Sequence, residues 1–98
     1  AFSPDNRHLY FVSDRPGGQG GTDLYVVEYA DGTWGQPRNL GPEVNTKGNE
    51  MFPFADERGN LYFASDGHPT QGGLDVFFVE MKATRPVGRV QNLGAPIN

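Results

Sequence analysis

Two pairs of aspartates frame glycine-rich stretches in this chain. Asp14 and Asp23 enclose Arg15-Pro16-Gly17-Gly18-Gln19-Gly20-Gly21-Thr22, and Asp66 and Asp75 enclose Gly67-His68-Pro69-Thr70-Gln71-Gly72-Gly73-Leu74. Carboxylates combined with loop carbonyls are the ligand set of a hard cation such as calcium. Calcium loops, however, place oxygen ligands at about every second position, and neither stretch does so. The chemistry that fits better is structural: a carboxylate that accepts bonds from loop amides fixes the turn between two strands. On this reading Ser13, Asp14, Gly20, Gly21 and Asp23 shape one turn, and Ser65, Asp66, Gly72, Gly73 and Asp75 shape the other. No metal and no cofactor are expected.

His8 and His68 are the only histidines, and Ser65-Asp66-Gly67-His68 brings Ser, Asp and His into one loop. A triad is defined by convergence in space, not by proximity in sequence, so no catalytic residue is assigned and His68 is expected to make local hydrogen bonds. The glycine stretches are not phosphate cradles, because neither opens a helix and the P-loop lysine is missing. Tyr29, Trp34 and His68 are the candidate contact residues. The two aromatics suit a peptide or glycan surface, with packing between outer strands as the alternative use.

The elements that must position these residues are short. With 98 residues, 14 Gly and 8 Pro but 12% aromatic content, the chain has apolar area to bury and many turns, which suits one small domain of short strands and excludes a large enzyme core. The net charge is −4 and the Lys and Arg residues are scattered, which argues against nucleic acid and anionic lipid as partners. Cysteine is absent, so there is no disulfide framework or thiolate zinc site. No run approaches the ~18 apolar residues of a membrane span, and no signal-peptide pattern opens the chain, so a soluble domain without membrane insertion is expected. The chain starts at Ala1-Phe2-Ser3-Pro4-Asp5 in the middle of a pattern, as a segment of a longer protein would.

Phe2-Ser3-Pro4-Asp5-Asn6-Arg7 reads as a strand end and a tight turn. His8 to Ser13 and Asp23 to Tyr29 follow as strands whose contiguous apolar residues predict burial on both faces. Asp31-Gly32 is a hairpin turn leading to Thr33 to Leu40, a strand that Pro37 confines to an edge. After a polar crossover the cycle restarts with strands at Glu50 to Phe54, Leu61 to Ser65, Asp75 to Met81 and Val87 to Leu93. Helical periodicity is absent.

The two cycles are copies at an offset of roughly fifty residues. Phe2 matches Phe54, Ser13-Asp14 matches Ser65-Asp66, Gly20-Gly21 matches Gly72-Gly73, and Asp23 matches Asp75. Asn39-Leu40-Gly41 matches Asn92-Leu93-Gly94, and Asn45 matches Asn98. A repeating four-stranded antiparallel unit with an apolar centre is what a β-propeller blade requires. The expected fold is therefore all-β: a first blade over 1–45 with a truncated leading strand and a second over 46–98, about two blades of a larger or self-assembled propeller.

Phe2-Ser3-Pro4-Asp5, the strand ending Ser13-Asp14, and Asp23-Leu24-Tyr25 together resemble TolB-like propeller repeats. The fuller loop from Ser65 to Asp75 is similar to the version found beside OmpA-like domains in envelope proteins of Bacteroidetes type. The second copy departs from the signature at Phe54-Ala55-Asp56-Glu57, where Asp56 and Gly59 still supply turn chemistry. The resemblance covers essentially the whole chain. It implies a non-catalytic scaffold or interaction module in the periplasm or at the outer membrane. The implied partners are envelope proteins such as a peptidoglycan-associated lipoprotein, together with further blades or a second copy. Asp31-Gly32-Thr33-Trp34 also resembles the aspartate boxes of sialidase propellers, which are themselves structural. The rival expectation is an accessory propeller of a hydrolase, of prolyl-oligopeptidase or glycosidase type, with the catalytic residues elsewhere.

Overall fold

A computed structural model of the chain describes residues 2–68, 74–82 and 84–94. Gly72, Gly73 and the Asn98 half of the Asn45 match lie outside the described residues. Within them the protein is all-β and antiparallel, with no helix. The strands are β1 (His8–Ser13), β2 (Asp23–Ala30), β3 (Thr33–Trp34), β4 (Arg38–Asn39), β5 (Glu50–Ala55), β6 (Leu61–Ser65), β7 (Asp75–Val79), β8 (Met81–Lys82), β9 (Arg85–Pro86) and β10 (Gln91–Asn92). They form two four-stranded sheets, β1-β2-β3 with β4 also on β2, and β5-β6-β7-β10, plus the β8-β9 hairpin.

Local chemistry explains most of these bounds. Aromatic and β-branched residues dominate β2 and β7, as pleated and buried surfaces favour. Asp31 and Gly32 both have positive φ, 53° and 79°, the geometry of the two-residue turn that matches strand twist between β2 and β3. The Ser3 carbonyl accepts from the Asn6 amide at 2.9 Å, closing the turn that Pro4 and Asp5 start.

Three predicted strands are broken. The Thr33 to Leu40 run divides into β3 and β4 around Pro37, which has no amide to give the ladder. The Asp75 to Met81 run stops at Val79, because the Met81 amide donates to the Asn60 side chain at 3.0 Å and β8 turns away to pair with β9. The Val87 to Leu93 run shrinks to β10, since the Val87 amide donates to the Glu80 carbonyl at 2.9 Å and is committed to that hairpin.

The core lies between the sheets. Pairing of Tyr10 with Val26 and of Val12 with Leu24 puts Tyr10, Leu24 and Val26 on one face of the first sheet, where Leu40 joins them. Pairing of Leu61 with Val79 and of Phe63 with Phe77 does the same on the second sheet. One buried cluster contains both sets together with Val44 and Met81, so these two inner faces meet. Each such side chain contributes about 1.5–3 kcal/mol by leaving water.

The expected burial on both faces holds in β2, where Leu24, Tyr25, Val26 and Val27 are all buried, and is corrected elsewhere. In β6 and β7 burial alternates along the strand: Leu61, Phe63, Phe77 and Val79 are sealed, while Tyr62, Ala64, Val76 and Phe78 on the outer face are only half-buried. A contiguous apolar run records what the strand can bury, whereas β6 and β7 have a covering layer on only one side.

The match of Phe2 with Phe54 also changes meaning. Phe2 bridges Leu9, but Phe54 pairs with Tyr62, so the turn in the first copy is one residue shorter. One residue of register moves a side chain to the other face of its sheet.

Candidate interaction surface

Among the described residues, Asp23, Asp66 and Asp75 build turns at one end of each sheet. Asp23 accepts from the Gln19 amide and, at 3.1 Å, from the Asn39 side chain, whose own oxygen accepts from the Gly41 amide at 2.8 Å. The second copy repeats this pair: Asn92 donates to Asp75 at 2.9 Å and accepts from the Gly94 amide at 2.7 Å. Ser13 Oγ accepts from the Arg15 amide at 3.1 Å, and Ser65 Oγ from the Gly67 amide at 3.0 Å. Asp66 accepts from the Asn49 amide at 2.7 Å, while Asp14 is exposed. The Ser–amide bond and the Asp–Asn–Gly bonds thus recur with their residues, whereas the Asp66 bond has no counterpart at Asp14.

The glycines serve close approach. Gly20 lies against the backbone of Lys47, and a Cβ on Gly67 would run into Thr46, so the 46–49 crossover is held between the two glycine stretches. The Gly21 amide donates to the Gly48 carbonyl at 3.0 Å and confirms that contact.

Asn45, marked in the sequence as a repeat match, and Glu50, marked as a strand start, are both buried bonding centres. Asn45, 2% exposed, donates to the Leu24 carbonyl at 2.9 Å and accepts from the Leu24 amide at 2.8 Å, acting as a surrogate strand. Glu50 is fully buried, accepting from the Thr46 amide at 2.8 Å, Thr46 Oγ1 at 2.7 Å and Ser65 Oγ at 2.6 Å. The available signal was a carboxylate opening an apolar strand, which must be bonded if it is buried.

The three candidate contact residues divide. Tyr29 and Trp34 face each other across β2 and β3 with ring centroids 4.9 Å apart, and Phe2 stands 6.5 Å from Trp34. All three remain substantially exposed, at 40%, 49% and 53%. His68 is elsewhere: its amide makes the expected local bond, to Ser65 Oγ at 3.4 Å, but its ring leaves the loop. Its Nε2 donates to the Val44 carbonyl at 2.6 Å, 24 residues away, and its ring packs on Phe63 and Phe77 at 5.8 and 5.2 Å. The apolar inner face draws the imidazole off its own loop. His8 sits instead near Asp5 and Glu28, at 3.6 and 3.7 Å.

Arg15 is to the first sheet what His68 is to the second. Its guanidinium lies 5.3 Å from the Phe11 ring and 5.1 Å from that of Tyr25, the repeat equivalents of Phe63 and Phe77. On the second sheet the outer face carries Phe54, Tyr62 and Phe78 in a row across three strands, with centroids 6.2 and 4.9 Å apart. A shallow concavity of about 540 Å³ there is lined by Phe54, Tyr62, Phe78 and the 56–58 turn.

Electrostatics are mild. Arg38 donates to Thr84 Oγ1 at 2.8 Å, and burial, with Arg85 nearby, lowers its guanidinium from the ordinary value. The Asp5 carboxyl is lowered by the hydrogen bond from Ser3 and then by the Arg7 amide. Among the described residues no three or more metal-ligating side chains converge, and no helix is long and apolar enough to cross a membrane. No protein-family model, curated protein or solved structure matches the chain.

Proposed function

We propose that this chain is a non-catalytic segment of a β-propeller, with each four-stranded sheet a blade, and that it serves as a scaffold or protein-interaction module in the bacterial cell envelope. The observation that carries this reading is the relation between the two sheets. Repeat-equivalent sheets are stacked so that one face of the first seals the opposite face of the second, as successive blades pack. An architecture of this kind displays hairpins and loops at its rim, and the half-exposed Phe2, Tyr29 and Trp34 stand at such a hairpin. Aromatics with one face packed and one open are favoured at protein interfaces. The envelope and its partners come from the resemblance to TolB-like repeats.

The test is calorimetric titration of the chain with purified peptidoglycan-associated lipoprotein. Saturable binding that Trp34→Ala weakens at least tenfold is expected. A flat titration with both proteins folded rejects that partner, and an unaffected Trp34→Ala isotherm rejects the hairpin as the contact.

A further inference from the structure

Equivalent positions in the two repeats do not share a fate. Tyr10 is 1% exposed, whereas its equivalent Tyr62 is half-open on the outer face. Leu40 is 4% exposed and Leu93 38%, although each amide bonds the equivalent carbonyl, of Leu24 at 3.1 Å and of Val76 at 3.2 Å. The local structure is the same and only the covering layer differs. The face made by Tyr10, Leu24, Val26 and Leu40 is sealed by Leu61, Phe63, Phe77 and Val79. Its copy, made by Tyr62, Val76, Phe78 and Leu93, has no such layer within the described residues, and Phe54 beside it is 60% exposed.

The matching receptor face is present at the other end of the molecule. Leu9, Phe11, Tyr25 and Val27, equivalents of Leu61, Phe63, Phe77 and Val79, form the outer face of the first sheet, where Leu9 and Phe11 are half-buried and Tyr25, under Arg15, and Val27 are 5% and 8% exposed. Resting on the propeller reading, we infer that a second copy of this chain docks head to tail, its Leu9-Phe11-Tyr25-Val27 face covering the Tyr62-Val76-Phe78-Leu93 face of the first. The internal contact between the two sheets is the template for this external one. The Arg15 cap is no obstacle. His68 holds the equivalent place inside the internal contact and there donates to the Val44 carbonyl of the facing repeat, a role that the Arg15 guanidinium can fill.

Such an interface is heterologous: it uses two different surfaces and leaves one of each free on a dimer. Repetition then closes a ring when the rotation allows it and otherwise grows a filament.

Sedimentation of the 98-residue chain at tens of micromolar tests this, together with two variants whose fold is checked by circular dichroism. Phe54→Glu charges one face and Phe11→Glu the other. Leu9→Glu replaces Phe11→Glu if the latter does not fold, and Tyr62→Glu likewise replaces Phe54→Glu. Head-to-tail docking makes the parent chain oligomeric, makes each variant monomeric alone, and makes the mixture a one-to-one dimer through the two intact faces. A monomeric parent overturns the inference, as does either variant that still self-associates. A monomeric parent that nevertheless binds the lipoprotein leaves the interaction module standing without the docking face. An oligomer that ignores the lipoprotein does the reverse.

Discussion

Phe11 and Phe63 are the same residue at the same repeat position, each stacked on a β2 or β7 aromatic, with centroids 5.8 Å apart for Phe11 and Tyr25 and 6.0 Å for Phe63 and Phe77. They differ in cover. Phe63 is 1% exposed within the layer between the sheets, while Phe11 is half-buried beneath the Arg15 guanidinium. Phe63→Ala loses the transfer energy of a full ring and leaves a cavity that neighbours on two sheets cannot close, which costs about 3–5 kcal/mol. Phe11→Ala loses part of a ring's burial and an exposed cation–π contact, about 1–2 kcal/mol in the monomer. Against a total of about 5–15 kcal/mol for a small domain, the first change is close to unfolding and the second is tolerated. Urea titration followed by circular dichroism and by the fluorescence of Trp34, the only tryptophan, reads the difference, at concentrations low enough to keep the chain monomeric. Equal losses within about 0.5 kcal/mol would refute the assignment of inner and outer faces. As concentration rises, the Phe11→Ala loss should grow if that face is also buried by a second copy.

Further outcomes follow from single residues. Phe52 has φ 54° within the β5 bulge and is 73% exposed, so it bears left-handed strain without packing return, and Phe52→Asn should raise stability by about 1 kcal/mol at an unchanged denaturant slope; a loss of stability would contradict this. Asn39→Ala removes a donor to buried Asp23 and an acceptor for Asn45, at a cost of about 1–3 kcal/mol, whereas the repeat-equivalent Asn92→Ala should cost less because its surroundings are wetter; the opposite order in urea midpoints would count against the clamp. Burial raises the Tyr10 phenol above its ordinary value, with Arg38 partly opposing. The folded state therefore keeps that proton longer than the unfolded one. The contribution is intact below pH about 10 and declines as pH rises past it, a slope that Tyr10→Phe should flatten in alkaline melts; an unchanged slope in the variant would contradict this.

Much of the outcome was legible from residue order, for reasons of short range. The β1 and β6 bounds, the Asp31-Gly32 hairpin and the doubled Ser-Asp, Asp and Asn-Leu-Gly motifs depend on chemistry within a few residues, and those interactions recur wherever the residues do. The all-β antiparallel class follows from the same local signals. Strand lengths near Pro37 and Glu80 were less legible, since the competing partner of the Met81 amide is Asn60, distant in sequence.

Only the tertiary structure decided which face of each apolar run is covered. Tyr10 and Tyr62, or Phe11 and Phe63, are equivalent in sequence, so no sequence pattern can assign one to the interior and the other to the surface. That assignment depends on which sheet has a neighbour on which side. The same holds for His68, whose ring is drawn to Val44, Phe63 and Phe77 by a surface that exists only once the second sheet lies against the first. Alternation and turn chemistry are properties of one strand and its immediate flanks. Burial is a property of the layer laid over it.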